Sequence, residues 1–493
     1  MSPLTGTGAG TVPENFARPP LHCKLWVLYA VAAATFIPAI GFHYVGEEAI
    51  FPLVSLEMWL RGEWIQQILF GENLQHNPLF NWIIIAVCGL AGWEHVLAVA
   101  RTVTIAATVC SGLVLAWLAH RVFGDRALAA LAAVVYMMAA DVVLYRGWLA
   151  YVDPLFGFFV FSSMACLWVA SRERRLAVLA LAIAALTIAF LAKAFTAYVF
   201  YGATAFVLLL ERDSRRFLLS PASLAIHAAG AAAVAIWLGM LPANEGQGLR
   251  MFREIVEKLS LAGMLDYLVK LIAYPAQAFV KLAPAALLAA YYAWQRRRSA
   301  DPASPAFRTA VAIAGLNFLP YWLAPQSHSR YLVPLYPLAA LIFAHIIWRA
   351  RPASLAVTLR WFYGLLALKL AFVFLLFPYY QKTYRGENYA LAARSIAERT
   401  AGQPLYTTNV SASGLSVKAY LDLQRLPQPP ITFPPAQWNS GFVITYQPDP
   451  ALGQIAEQYR LGGDDLYLIC RGASCQGAQT GDRERSKKPG ADK

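Results

Sequence analysis

Long uncharged apolar runs, separated by short polar loops, recur between residues 25 and 378. A run of about 18 or more apolar residues is long enough to cross a bilayer as a helix. Only 14% of the residues are charged, whereas soluble domains carry roughly a quarter. The runs are continuous and do not alternate, which argues against a transmembrane β-barrel. The sequence therefore predicts an all-α polytopic membrane protein.

The number of spans and their orientation follow from the loops. The apolar blocks lie at 25–42, 79–93, 96–119, 127–146, 154–171, 176–193, 195–210, 218–241, 274–294, 308–324, 331–348 and 360–378. Short cytoplasmic loops are rich in Lys and Arg. In this chain, all the basic loops lie on the same side of the membrane only if block 79–93 does not cross the bilayer. We interpret that short block as an interfacial or re-entrant helix. This predicts about eleven transmembrane helices, with a cytoplasmic N-terminus and an outward C-terminus.

Membrane orientation also explains the net charge of +13, because the basic residues cluster in the short loops between the apolar blocks. Loop charge that sets membrane orientation needs no nucleic-acid partner, and we predict none. We identify no convincing signal-peptide cleavage site after the first apolar block.

The apolar runs and loops divide the chain into four predicted parts. They are a cytoplasmic segment (1–24), a membrane domain (25–378) with outer loops at 43–95 and 242–273, a soluble outward domain (379–475) and a disordered tail (476–493). In the first outer loop, Leu53, Leu56, Leu60 and Trp64 have helical spacing, with Glu57 and Arg61 on the other side. This pattern predicts a helix lying flat in the membrane interface.

The soluble domain reads as a small α/β unit. "PLYTTN", "GFVITY" and "DLYLIC" are predicted strands, and "NYALAARSIAER", "SGLSVKAYLDL" and "ALGQIAEQYR" are predicted helices. Strands alternating with helices favour a mainly parallel sheet. Cys470 and Cys475 lie close enough in sequence to form a disulfide in an oxidising compartment.

The predicted topology gathers the unusual polar residues on one face, including Glu47, Glu48, His76, Asp153, Lys193, Arg250, Arg253, His328 and Arg330. Each allows an ordinary and a functional interpretation. Glu47 and Glu48 are either solvated carboxylates at the end of a span, or a general base and its neighbour. Asp153 before Pro154 is a common way to begin a helix, or an active-site acid.

Lys193 and Arg330 are either cations reaching the membrane surface or ligands of a phosphate, and arginine binds phosphate oxygens in pairs. Asp141 lies inside a span with Arg146 about one turn later, which indicates a functional site or a local ion pair. His76 and Glu47 are possible ligands of a divalent metal, although a lone histidine is more often structural.

The stretches "GEEAIFPLVSLEMWLRGEW", "HNPLF", "YVDPLFGFF", "LAKAF" and "SRYLVPLYPLAAL" occur in this order along the chain. Their order and spacing resemble the GT-C glycosyltransferases, especially the bacterial relatives of protein O-mannosyltransferases and of the lipid A aminoarabinose transferases. The resemblance covers about residues 25–350. That family usually has Asp-Glu in the first outer loop, where this chain has Glu47-Glu48. The aminoarabinose-transferase branch has Glu-Lys before the loop proline, where this chain has His76-Asn77.

The resemblance implies a transferase of the bacterial inner membrane that uses a polyprenyl-phosphate sugar on the periplasmic face. Glu47, Glu48 and Asp153 would be its catalytic carboxylates. Lys193, Arg330 and His328 would bind the donor phosphate, and His76, Arg250 and Arg253 would belong to the substrate loops. The acceptor would be lipid A or lipopolysaccharide, a polysaccharide, another glycolipid or a protein.

Two other classes stay open on the sequence alone. One is a transporter or flippase of lipid-linked sugars, although we find no internal repeat and no paired broken helices of the kind carriers use. The other is a scaffold with no active site of its own. The identity of the sugar, the acceptor and any metal is not encoded in a recognisable pattern.

Overall fold

Apolar helices form most of the computed structural model, which describes residues 20–74, 76–241, 263–296, 304–384, 387–461 and 464–475. The helices before the C-terminal domain are α1 (Leu21–Ala34), α2 (Ile50–Arg61), α3 (Leu79–Ala91), α4 (Val96–Phe123), α5 (Arg126–Met137), α6 (Val152–Glu173), α7 (Leu176–Ala192), α8 (Thr196–Leu209), α9 (Arg212–Leu218), α10 (Pro221–Met240), α11 (Met264–Lys281), α12 (Ala285–Arg296), α13 (Pro305–Leu323), α14 (Tyr336–Arg349), α15 (Ala353–Ala371) and α16 (Phe377–Tyr384).

Shorter elements join these helices. Single 3₁₀ segments span Ile37–Gly41, Trp93–His95 and Ser329–Leu335, and π-helical turns span Val142–Arg146 and Phe372–Leu376. A two-stranded antiparallel ribbon, β1 (Ile68–Leu69) and β2 (Glu72–Asn73), lies in the loop between α2 and α3.

The centre of the bundle is α6, which packs against α4, α7 and α8, while α5 packs against α1, α4 and α14. Helix α5 is buried almost all round, from Leu128 to Met137. A helix that is apolar on every side is expected in the middle of a membrane bundle. These helices share one large apolar core.

Six described segments are long and apolar enough to cross a membrane by length and composition, or seven if one bent pair counts as a span. They are Leu21–Gly41, Trp93–Phe123, Val152–Glu173, Pro221–Met240, Ser329–Arg349 and Ala353–Arg399. Leu79–Ala91, Arg126–Met137, Leu176–Ala192 and Thr196–Leu209 are shorter apolar helices. The count of about eleven spans stays a prediction.

Block 274–294 differs from the single span that the sequence predicted. Its residues divide between α11 and α12, which are bent by 102°. The break contains Pro284, and proline cannot continue a helix without disrupting its hydrogen bonds.

The C-terminal domain follows as α17 (Glu387–Arg399), β3 (Leu405–Thr407), α18 (Ala412–Gln424), β4 (Gly441–Thr445), β5 (Gln454–Leu461) and β6 (Asp464–Arg471). Its sheet has the order β3-β4-β6-β5. Only β3 and β4 are parallel, because β4–β6 and β6–β5 pair antiparallel. The prediction of a mainly parallel sheet was therefore wrong. The paired Cys470 and Cys475 form a disulfide at the end of β6.

The predicted helix "ALGQIAEQYR" was also wrong, since most of it is the edge strand β5. Residues Gln454–Leu461 pair along β6 with a register shift near Ile455 and Glu457. Ala, Gln and Glu favour helices in isolation, but pairing with a central strand and burial of Leu461 outweigh that local preference.

The C-terminal domain packs directly on the first loop. Leu415 and Ala419 of α18 share a small core with Tyr44, Leu53 and Phe70. Next to this core, Lys418 donates to Glu57 over 2.8 Å and to Asp422 over 2.6 Å. The side chains of Glu57 and Lys418 are fully buried. The predicted solvent-facing position of Glu57 was thus wrong, because α18 covers that face of α2.

Candidate active site

Glu48 is anchored inside the protein. Arg101 on α4 holds its carboxylate with two hydrogen bonds, from Nε to Oε1 (2.9 Å) and from Nη2 to Oε2 (2.6 Å). The main-chain N–H groups of Val45 and Ala150 add two more bonds, and both charged side chains are fully buried. Arg101 also donates to the carbonyls of Ala39, Ile40, Phe42 and His43. The ion pair fixes the shape of the loop that precedes α2.

Glu47 points the other way and is exposed. Gly46 before it has φ +58°, a left-handed conformation that glycine adopts easily. A Cβ at Gly46 would lie 3.4 Å from the Tyr151 hydroxyl. Burial raises the pKa of Tyr151, and Tyr145, Glu48 and Glu47 raise it further. Glu47 therefore stands at the surface beside a tyrosine that keeps its proton.

Asp153 and Lys193 form the closest ion pair of the site, with 2.5 Å between Oδ1 and Nζ. Asp153 lies in the first turn of α6, where Tyr151 and not Asp153 occupies the N-cap. Lys193 ends α7. Both side chains are largely buried, at 12% and 17% exposure. A close, charge-assisted bond in such a place fixes the lysine head group.

Further charged residues contact Asp153 or lie next to those that do. Arg146 lies 3.6 Å from Asp153 through Nη1 and 3.1 Å from Asp141 through Nε. Asp141 also accepts a hydrogen bond from Tyr336 (2.7 Å) and lies 3.9 Å from Lys281. Two carboxylates thus contact three cations, so the group as a whole is positively charged.

A pocket opens beside Lys193 with about 950 Å³ of empty space, including its open mouth. We call it the Lys193 pocket. Asp153, Lys193, Arg330 and His76 supply its charged and polar walls. Thr196 and Ser327 add two hydroxyl groups. Most of the other lining residues are apolar or aromatic and include Phe156, Val199, Phe200, Tyr321, Tyr331, Val333 and Pro334. The pocket therefore joins cations to an apolar surface.

Close packing brings Arg330 and His76 to this pocket. Gly157 on α6 faces the 3₁₀ segment Ser329–Leu335, and a Cβ there would lie 3.1 Å from Val333 Cγ1. Arg330 and Lys193 both stand 5.4 Å from the centre of the Tyr331 ring. His76 is held at the pocket by its neighbour Asn77. The Asn77 side chain donates to the main-chain carbonyl of Phe190 (2.7 Å), and the Asn77 main-chain N–H donates to the carbonyl of Lys193 (3.4 Å).

The structure thus gathers some of the sequence candidates and separates others. Asp153, Lys193, Arg330 and His76 line one pocket, and Glu47 is within electrostatic range of Arg330. Glu48 is held in a buried ion pair, and His328 adjoins the pocket lining without belonging to it. Arg250 and Arg253 lie outside the described residues, as does the predicted tail 476–493.

Sequence reasoning did not find Arg101, Tyr151, Lys281, Tyr331 or Lys418. Arg101 is the clearest case, because an arginine inside an apolar run is itself a signal of a polar partner. Among the described residues, no group of three or more His, Cys, Asp or Glu side chains converges to hold a metal ion.

The overall fold is similar to that of a solved structure. The crystal structure of ArnT from Cupriavidus metallidurans bound to undecaprenyl phosphate superposes with a TM-score of 0.69 at 15% identity, covering 92% of this chain and 98% of that chain. The apo structure of the same protein gives a TM-score of 0.66 at 16% identity, covering 92% and 99%. The chain has the GT-C membrane fold.

No protein-family model matches the sequence. The resemblance noted in the short motifs is nevertheless confirmed at the level of the fold, because the similarity to ArnT extends over nearly the whole of both chains. The superposed part of this chain includes both the helical membrane part and most of the small C-terminal sheet domain, because the match covers 92% of the chain.

Proposed function

We propose that this chain is a membrane glycosyltransferase that moves a sugar from a polyprenyl-phosphate donor to a hydroxyl group of an acceptor. The observation that carries the proposal is the Lys193 pocket, where two cations meet an apolar cavity at one end of a GT-C bundle. A prenyl phosphate has the matching chemistry, with a charged head and a hydrocarbon chain. That the ArnT structure of the same fold binds undecaprenyl phosphate supports this choice.

In the proposed reaction, the acceptor oxygen forms a bond to the anomeric carbon of the sugar as the bond from that carbon to the phosphate oxygen breaks. The electron pair leaves with the polyprenyl phosphate, and the acceptor proton passes to the Glu47 carboxylate. Lys193 and Arg330 stabilise the charge that grows on the departing phosphate. Asp153 keeps the ammonium group of Lys193 in position through their 2.5 Å contact.

Glu47 suits the role of base better than Glu48. Glu48 already accepts four hydrogen bonds and neutralises a buried arginine, so it has no capacity left for a substrate. Glu47 is exposed at the same face and close to Arg330. We therefore assign Glu48 a structural role and keep Glu47 and Asp153 as the reacting-site carboxylates. His76 would contact the sugar or the phosphate from the opposite wall.

We place this face in the periplasm of a bacterium, with the chain in the inner membrane. The disulfide of the C-terminal domain supports that placement, because such bonds persist in oxidising compartments. The acceptor is a glycolipid such as lipid A, a polysaccharide or a protein.

The deciding experiment measures transfer of label from a radiolabelled undecaprenyl-phosphate sugar to a membrane lipid extract by purified protein in nanodiscs. We expect wild type to form a labelled product, and Glu47→Gln and Asp153→Asn to lose it while staying folded. Glu94→Gln is the matched control, since Glu94 is 73% exposed near the start of α4. Donor binding without any transfer, across several sugars and extracts, would instead support a lipid-linked sugar carrier.

A further inference from the structure

A second polar pocket lies at the other end of the same helices. It is formed by the C-terminal ends of α12 and α14 and the start of α13, and it has about 470 Å³ of empty space, including its open mouth. We call it the His345 pocket. The Lys193 pocket lies at the start of the segment Ser329–Arg349 and the His345 pocket at its end. The segment has 21 residues from end to end, and a helix of that length spans roughly 30 Å, the thickness of the hydrocarbon core.

His345 is the unusual group in this pocket. It is only 8% exposed, and the described part of the chain offers no hydrogen-bond partner to either of its ring nitrogens. Its ring stacks between Phe307 (4.7 Å) and Phe123 (4.9 Å). Buried polar groups without partners are rare, and a bound ligand is one of the usual reasons for them.

Two arginines lie in the same pocket as the histidine. Arg296 and Arg349 both belong to its lining. The Arg296 guanidinium donates to the main-chain carbonyl of Arg349, which holds the two arginines at the same end of the bundle. Guanidinium groups in a fixed fork bind phosphate oxygens through pairs of hydrogen bonds.

Aromatic residues flank the pocket near the end of α12. Tyr291 and Trp294, which come shortly before Arg296, are 50% and 60% exposed. Arg351 lies over the Trp348 ring at 3.8 Å. Exposed tyrosine and tryptophan beside arginine are typical of the membrane–water boundary, and basic pockets between helices at that level bind phosphate-bearing headgroups.

We propose that the His345 pocket is a phosphate-binding site, separate from the Lys193 pocket and on the opposite side of the membrane. Arg296 and Arg349 hold the phosphate oxygens, and His345 donates one ring N–H to them. The phosphate is carried by an anionic lipid of the adjacent leaflet or by a soluble compound. This site does not depend on the transferase proposal, because it shares no lining residue with the Lys193 pocket.

The test measures the melting temperature of the purified protein in detergent during titration with dihexanoyl phosphatidic acid. Dihexanoylglycerol, which lacks the phosphate, is the ligand control, and inorganic phosphate at matched ionic strength is the second arm. We expect phosphatidic acid to raise the melting temperature of wild type, while dihexanoylglycerol does not. Stabilisation by inorganic phosphate as well would identify a soluble phosphate as a sufficient ligand, and its absence would identify a lipid.

Three variants decide where the ligand binds. Arg296→Gln and Arg349→Gln should weaken the apparent Kd about tenfold or more, because each removes a charged donor. His345→Phe keeps the ring stack and removes both nitrogens, so it should weaken binding without loss of the fold. Arg308→Gln, at an exposed arginine near the start of α13, should bind like wild type. Equal responses in His345→Phe, Arg308→Gln and wild type, or equal stabilisation by dihexanoylglycerol, would overturn the proposal.

Discussion

Asp153 and Lys193 lie 40 positions apart in the chain, and their charged atoms are 2.5 Å apart at the mouth of an apolar pocket. The pair joins the first turn of α6 to the end of α7. A lysine held in this way keeps its position whether or not a substrate is bound. Fixed charges need no rearrangement as the reaction proceeds, and this makes them effective at stabilising a transition state.

Replacing Lys193 with methionine should therefore lower the rate of transfer far more than it lowers stability. Loss of one preorganised donor to a developing anion costs about 10²–10³ in rate. The comparison is kcat/KM for the labelled donor in Lys193→Met and in Lys382→Met, which alters an exposed lysine of α16. A Lys193→Met enzyme within twofold of wild type would remove this residue from the proposed site.

The neighbours Glu47 and Glu48 should give opposite results. Glu48→Gln leaves Arg101 buried without its counter-charge, and removing one partner of a buried pair costs about 3–5 kcal/mol. Glu47→Gln changes an exposed carboxylate and should leave the melting temperature nearly unchanged while abolishing transfer. Thermal unfolding and turnover are measured on both proteins. The assignment fails if Glu48→Gln is stable and inactive while Glu47→Gln transfers normally.

The contact between Lys418 and Glu57 should govern the stability of the first loop. Lys418→Met leaves two buried carboxylates, Glu57 and Asp422, without their shared cation and should destabilise the protein by about 3–5 kcal/mol. Adding Glu57→Gln should recover part of that loss, since one of the uncompensated charges is gone. The measurement is a double-mutant cycle on thermal unfolding.

The surface pair Arg394–Glu398 on α17 provides the control for that cycle. Both side chains are more than half exposed, and Arg394→Gln should cost at most about 1 kcal/mol. If Lys418→Met were no more harmful than Arg394→Gln, the buried triad would contribute nothing measurable.

The disulfide between Cys470 and Cys475 should protect both thiols from alkylation until a reductant is added. Exposed Cys23, near the start of α1, serves as an internal positive control for the reagent. Because the bridge closes a short loop, with a sequence separation of 5, its removal in Cys475→Ser should cost only about 2 kcal/mol. Labelling of Cys470 without reduction, detected by peptide mass spectrometry, would contradict the paired state.

Structural features that depend on residues close together in the chain were predicted well. The apolar runs indicated the helical membrane fold, and short motifs placed Asp153, Lys193 and Arg330 together before any geometry was available. Each of those residues opens or closes a helix, so a linear pattern carries the information. The three strands "PLYTTN", "GFVITY" and "DLYLIC" were found for the same reason.

What failed depends on partners distant in sequence. The burial of Glu48 beside an exposed Glu47 depends on Arg101, 53 positions beyond Glu48. The burial of Glu57 is set by Lys418, 361 positions away. Strand β5 has a helical composition and becomes a strand only because β6 offers it an edge. None of these long-range contacts produces a local pattern in the sequence from which it could be predicted.

The buried bond from Glu57 to Lys418 also constrains how the protein is made. Glu57 is synthesised long before Lys418, so the Glu57 carboxylate of the nascent chain has no cation beside it. Burying an unpaired carboxylate has a high cost in free energy. The packing around α2 is therefore complete only after the last fifth of the chain has been synthesised and folded. Formation of the first loop thus depends on the C-terminal domain: a truncated product lacking α18 would leave Glu57 without its cation and Leu53 and Phe70 without part of their core.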